Sequence, residues 1–244
     1  GEVVIDLAYD GVLKMVRNLF ETNPMLGHRG VRLGITFPEI YSMQIRAVLE
    51  AAAECTKEGD VVCPEIMVPQ VCTSEELIRV KSYVTEIHKE VEEQYGVKVD
   101  FKFGSMIEVV RACMRADCLA EEAEFFSFGT NDLSQATFSF SREDAENKFL
   151  PMYAEKKILQ DNPFEVVDEK GVGKLMELAI EWGRKTRPDM RMGVCGEHGG
   201  HPQSIHFFNK IWRDEACPIC TCIHPNWFTG IICISFIHPL NSIK

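Results

Sequence analysis

Short apolar runs alternate with longer amphipathic segments along most of this chain, and that alternation restricts the fold more than any other feature. Residues 8–21 place Leu13, Val16 and Leu19–Phe20 at helical spacing, and Asn23-Pro24 stops the pattern because a residue before proline is driven out of the α region. Val31–Phe37 then reads as a strand and Glu39–Cys55 as a helix closed by Gly59. The same order returns with a strand at Val61–Val68 and a helix at Ser74–Tyr95, capped by Thr73 or Ser74 and ended by Gly96. Further strands are expected at Val99–Ile107, Phe125–Phe128 and Met190–Cys195. Helices fall at Val110–Ala116, Leu119–Glu124, Gly173–Thr186 and Pro202–Ile211, and residues 141–170 are less regular. Strands separated by helices make a parallel sheet covered on both faces. Polar or glycine-rich sequence adjoins several strands, which favours a (β/α) barrel over a doubly wound sheet with one switch point. Five strands are countable where a closed barrel has eight.

The charge distribution breaks near the end of the chain. The protein carries 26 Lys and Arg against 37 Asp and Glu, a formal charge of -11. That balance argues against a broad nucleic-acid surface and leaves room only for a local arginine or metal site for an anion. From Ala216 to Ile243, however, no Lys, Arg, Asp or Glu occurs, and four of the ten cysteines lie there. Cys55, Cys63, Cys113 and Cys195 fit small thiols in a reducing compartment rather than a disulfide framework. Cys217-Pro218-Ile219-Cys220-Thr221-Cys222-Ile223-His224 is too crowded for a zinc knuckle and has no companion. Ile231–Ile237 is too short to span a bilayer, and Glu2 and Asp6 do not suit a signal peptide.

Four stretches can carry chemistry. In Gly104-Ser105-Met106-Ile107-Glu108 a carboxylate follows small or apolar residues at a strand end, where it is costly unless paired. A plain alternative is a glutamate meeting amides at a helix start. In Phe128-Gly129-Thr130-Asn131-Asp132 an aromatic strand delivers Thr, Asn and Asp together, and Asp132 can cap the next helix. On neighbouring parallel strands, about 4.8 Å apart, Glu108 and Asp132 form a ligand pair suited to Mg²⁺. Arg29 and Arg32 flank Gly30 and make either an anion clamp or ordinary surface pairs. In Gly196-Glu197-His198-Gly199-Gly200, His198 is a candidate proton donor or a partner of a site residue, the bland alternative being a turn histidine satisfied by backbone.

Read together, NPMLGHRGVRLGI, PEIMVP, GSMIEVVRA, AEEAEFFSFGTNDLSQATFSFSR, NPFEVVDEKGVGKLM, GRKTRPDMRMGVCGEHGG and HPQSIHFF resemble the C-terminal phosphoenolpyruvate/pyruvate-binding domain of the pyruvate, phosphate dikinase family, in order from about Asn23 to Phe208. The resemblance implies an α/β fold of the (β/α)₈ TIM-barrel type, incomplete in this chain because the first two strands and the last are missing or divergent. It divides the chain into a divergent segment 1–22, a barrel domain 23–211 and a divergent uncharged tail 212–244. The charge break and the loss of family motifs coincide, which suggests a frameshift or gene-model artefact in that tail.

By the same resemblance Glu108 and Asp132 hold Mg²⁺, and Arg29 holds substrate phosphate and carboxylate. Asn131 and Thr130 lie at the substrate, Met106 lines the pyruvate pocket, and Arg142 matches an arginine used by related members. The implied reaction is phosphoryl transfer between a phosphohistidine on another domain and pyruvate enolate. ATP-binding and phosphohistidine domains of a full-length homodimeric enzyme would be the partners, with no nucleic acid and no membrane, in the cytoplasm or a plastid. The family also implies a cysteine acid/base for the enolate carbon; counted from Gly196, its place falls on Pro218, beside Cys217. This chain alone is expected to be inactive. A phosphoenolpyruvate synthase relative and a noncatalytic binding remnant are the alternative readings.

Overall fold

The computed structural model describes residues 2–212 and 233–236. Its first half runs α1 (Glu2–Asn18), α2 (Val31–Thr36), α3 (Pro38–Glu58), β1 (Pro64–Val68), α4 (Ser74–Tyr95) and β2 (Lys102–Ile107). There follow α5 (Val110–Met114), α6 (Ala116–Glu122), β3 (Phe125–Gly129), α7 (Thr130–Phe138), α8 (Arg142–Lys148) and α9 (Leu150–Glu155). The remainder is α10 (Val172–Thr186), β4 (Arg191–Cys195), α11 (Pro202–Trp212) and β5 (Cys233–Phe236).

Local chemistry explains the sharpest boundaries. Thr73 accepts the Glu76 N–H while the Glu76 carboxylate accepts the Thr73 N–H, a reciprocal capping box that starts α4 where the sequence places it. Pro38 at the first turn of α3 and left-handed Gly59 after it bracket that helix. Pro64 opens β1 three residues later than the apolar run suggests.

β1 to β4 form a parallel sheet in the order β4-β3-β2-β1, consistent with part of an α/β barrel. One face is apolar apart from buried Ser105, whose hydroxyl donates to the Met106 carbonyl at 3.1 Å. Ile66, Val68, Phe103, Ile107, Phe126, Phe128, Met192 and Val194 pack there against the buried sides of α3, α4, α6 and α10. On the opposite face Met67, Met106 and Phe125 form a smaller cluster with Cys195 packed against it. Arg191 at the start of β4 reaches across to Glu65 on β1, with Nη1 2.5 Å from the carboxylate. In a barrel this second face would be the inner one, and the C-terminal strand ends beside it carry polar residues.

Two expectations are corrected. Val31–Thr36 is helical, not a strand: its buried residues are Val31 and Gly34, three apart, and Gly34 lies against the Tyr41 ring. Alternating Val, Leu and Ile misled the reading because a single helical turn also buries every third or fourth residue. The fifth strand instead comes from the uncharged tail. Cys233–Phe236 pairs antiparallel with β1, with Pro64 opposite Phe236 and Met67 opposite Cys233. A parallel barrel would place a parallel neighbour there. The remaining tail positions, including the crowded cysteines at 217–222, lie outside the described residues.

β5 covers an edge whose unpaired N–H and C=O groups would otherwise template association. Deleting residues 213–244 is therefore expected to lower the soluble yield and raise light scattering at equal concentration, measured beside the full chain. An equally soluble, monodisperse truncated chain would show that β5 gives β1 no protection.

Candidate functional site

The C-terminal ends of β1, β2, β3 and β4 converge on one cluster. β2 delivers Glu108 immediately after its last residue, and the turn from β3 into α7 delivers Thr130, Asn131 and Asp132. β4 ends on Cys195, which lies opposite Gly129 in register. The Glu108 carboxyl is buried and accepts the backbone N–H of Gln70 at 2.6 Å from the loop after β1. Gln70 adopts a left-handed conformation there, and its side-chain amide lies 3.3 Å from the Asp132 carboxylate. Gly129 is required at the tip of β3, because a Cβ would collide with the Glu108 carboxylate and Met106.

Arg29 enters from the segment between α1 and α2. Asn23 accepts the Met25 N–H at 3.1 Å, shaping the turn at Pro24–Leu26, and the Met25 carbonyl accepts the Arg29 Nε–H at 2.8 Å. One nitrogen of its guanidinium pairs with Asp132. Arg32, the second candidate of the clamp, donates instead to the Leu26 and Gly27 carbonyls at 2.9 and 2.7 Å. It fastens the loop that carries Arg29.

Two carboxyls and one guanidinium leave an unbalanced site. Burial raises the Glu108 carboxyl well above the carboxylate range, and the adjacent Asp132 charge adds to it. Burial also raises Asp132, against the opposing pull of Arg29. Of the two, Glu108 is raised further, so it is the partner that holds a proton. Tyr41 is buried nearby, and its phenol is pushed up by burial and then by Glu108. Hard oxygen donors sharing a proton fit a divalent cation, which would replace that proton with charge and still take ligand oxygens. Among the described residues no group of three or more His, Cys, Asp and Glu is arranged to hold a metal.

The structure brings Arg29, Met106, Glu108, Asn131 and Asp132 together. Asn131 presents a buried side-chain oxygen with no hydrogen-bond partner among the described residues. Thr130 and His198 are each fully buried and bonded to one another at 2.7 Å, so neither faces open solvent. The His198 Nε2 meets the Pro163 carbonyl at 2.9 Å. Arg142 spreads both terminal nitrogens on Glu197 at 3.2 and 2.6 Å and lies over the Phe164 ring, so its fork is occupied from within the chain.

Sequence reasoning missed three residues. Gln70 had no signal beyond following a strand, Ser127 shares the inner face opposite Met106, and Cys195 was read as an incidental buried thiol. Alternation along β4 was the usable clue: Arg191, Gly193 and Cys195 share one face. Pro218 and Cys217, the positions reached by counting, lie outside the described residues.

Comparison with known proteins gives a consistent result. The family of the PEP-utilising enzyme, PEP-binding domain, matches residues 3–217, which include most of segment 1–22. A pyruvate, phosphate dikinase of Entamoeba histolytica is 58% identical over 201 residues, covering 82% of this chain and 23% of that protein. The chloroplastic pyruvate, phosphate dikinase 1 of Arabidopsis thaliana is 53% identical over 205 residues, 84% of this chain and 21% of the relative. The chain thus spans less than a quarter of the length of these relatives. Among the described residues no helix is long and apolar enough to cross a membrane.

A carboxyl whose folded pKa exceeds its unfolded value weighs on the folded state increasingly as pH rises from the unfolded pKa toward the folded one. With a chelator present, Glu108→Gln is therefore expected to stabilise the chain by roughly 1–2 kcal/mol near pH 8, the gain vanishing below about pH 5. Thermal melts across that range test it; a variant less stable than the parent near pH 8 would contradict the sign.

Proposed function

Because the chain belongs to the PEP-utilising enzymes through their PEP-binding domain, we propose that its strand-tip cluster binds phosphoenolpyruvate and pyruvate in a pyruvate, phosphate dikinase. The observation that carries this reading is the buried Glu108–Asp132 pair facing Arg29. In this reading residues 23–211 are the barrel domain, completed as (β/α)₈ in the full enzyme, and residues 212–244 are a tail outside the family pattern.

Mg²⁺, held by Glu108 and Asp132, would supply positive charge where negative charge develops on the enolate oxygen. The chain's own groups do the rest. Arg29 neutralises carboxylate or phosphate oxygens: the Met25 carbonyl holds its Nε and Asp132 one terminal nitrogen, which leaves the other terminal nitrogen for the ligand. Asn131 orients the substrate through its amide, and Met106 walls the apolar side of the pocket with Met67 and Phe125. Cys195 sits on that same wall at the tip of β4, whereas the cysteine that the family uses to exchange the enolate carbon's proton falls by counting at Pro218, beside Cys217, outside the described residues. In the direction of phosphoenolpyruvate formation a base takes a proton from the pyruvate methyl group. The electron pair of that C–H bond forms the enolate, whose oxygen then takes the phosphoryl group from the carrier histidine. Arg142 has its fork closed by Glu197, whereas Arg29 pairs with Asp132 of the cluster itself.

The carrier histidine and ATP site belong to the other domains of the relatives' full length, so the 244 residues supply the acceptor half and are not expected to run the overall reaction. Titration with oxalate, an enolate mimic, provides the test. Binding is expected only with Mg²⁺, and to fall at least about a hundredfold in Glu108→Ala or Asp132→Ala, the scale of losing a buried charged contact. A folded chain that ignores oxalate at millimolar Mg²⁺ would overturn the assignment and favour a noncatalytic remnant.

A further inference from the structure

We propose that His198 is a positioning residue: its buried imidazole is a strut that fixes the Thr130 hydroxyl, and through it the start of the helix bearing Asn131 and Asp132. This inference rests on the substrate-site reading above, and gives His198 a task other than exchanging protons with a ligand.

The direction of each bond follows from the partners. A carbonyl oxygen only accepts, so the contact of 2.9 Å between Nε2 and the Pro163 oxygen puts the ring hydrogen on Nε2. Nδ1 of the neutral ring is then an acceptor, and the Thr130 hydroxyl donates to it at 2.7 Å. Burial lowers the histidine pKa, which favours that neutral ring. The result is a one-way chain from Thr130 through His198 to Pro163, with the Thr130 hydrogen committed to the ring.

Each end of the strut is anchored. Thr130 is the first residue of α7, directly after the glycine against which Glu108 and Met106 pack. Pro163 precedes fully buried Phe164, whose N–H is held by the Asn162 side chain at 3.0 Å. Gly196, at φ 141°, brings the histidine loop so close to Thr130 that a Cβ there would lie 2.5 Å from the hydroxyl oxygen. That approach is a second observation, independent of the hydrogen bonds, that the loop is built against Thr130. Neither ring nitrogen remains for a ligand.

Nitrogen NMR of the ring and calorimetric titration with oxalate and Mg²⁺ test the strut in the full chain. The ring should show the Nε2–H form, and the isosteric Thr130→Val should shift the Nδ1 resonance. The same substitution should weaken oxalate about five- to tenfold, the worth of one buried hydrogen bond, with Thr130→Ser restoring affinity to within about twofold. His198→Gln should cost a similar factor, and Thr130→Val with His198→Gln together should cost no more than either alone, as for one shared interaction. A ring protonated on Nδ1, or a folded Thr130→Val that binds oxalate as the parent does, overturns the strut and leaves the site reading intact. A folded parent that binds no oxalate overturns the site reading and the strut with it.

Discussion

Burial of two carboxyls side by side is the constraint around which the strand-tip cluster is organised. Glu108 follows β2 directly and Asp132 lies in the first turn of α7 after the adjacent strand β3, the first buried and the second largely so. An isolated buried charge is too costly to persist, so the surroundings must supply donors, positive charge or a proton. The chain supplies all three: the Gln70 N–H, the Arg29 guanidinium and the proton shared by the pair. The loop from Asn23 to Gly30, with its hydrogen-bonded turn and the Arg32 contacts, places one cation where it is needed.

The sheet lets this cluster exist without loosening the fold. The face turned away from the site is apolar but for Ser105 and packed on helices, so cohesion does not depend on the site. The inner face is mixed, with Arg191 and Glu65 paired near the strand starts and a methionine-rich wall above them. Chemistry concentrates at the other end because successive parallel strands point their last residues the same way. The pairing of β5 with β1 gives part of the uncharged tail a place on the sheet, beyond residue 217 where the family match ends.

Legibility in the sequence followed range. Glu108, Asn131 and Asp132 stood out because contiguous blocks carry them to strand ends, and a strand end is recognisable from a few residues. Gln70 contributes a backbone N–H, which has no signature in residue type. Cys195 was legible only through the alternation of β4, since a lone cysteine after valine reads as core. Arg142 and Glu197 are 55 positions apart, and nothing local shows that one closes the other's fork. Val31–Thr36 failed for the opposite reason: six residues are too few to separate a helical from a strand period.

The sequence by itself determined the βα alternation, the cap region of α4, the family and the identity of the carboxylate pair. These follow from local periodicity, local hydrogen bonding and contiguous motifs. The tertiary structure decided which residues meet: that Arg29 faces Asp132 across 103 positions, that His198 is locked between Thr130 and Pro163, and that a tail strand lines the edge of β1. Such contacts depend on strand register and loop closure, and a one-residue slip would turn each strand residue to the opposite face.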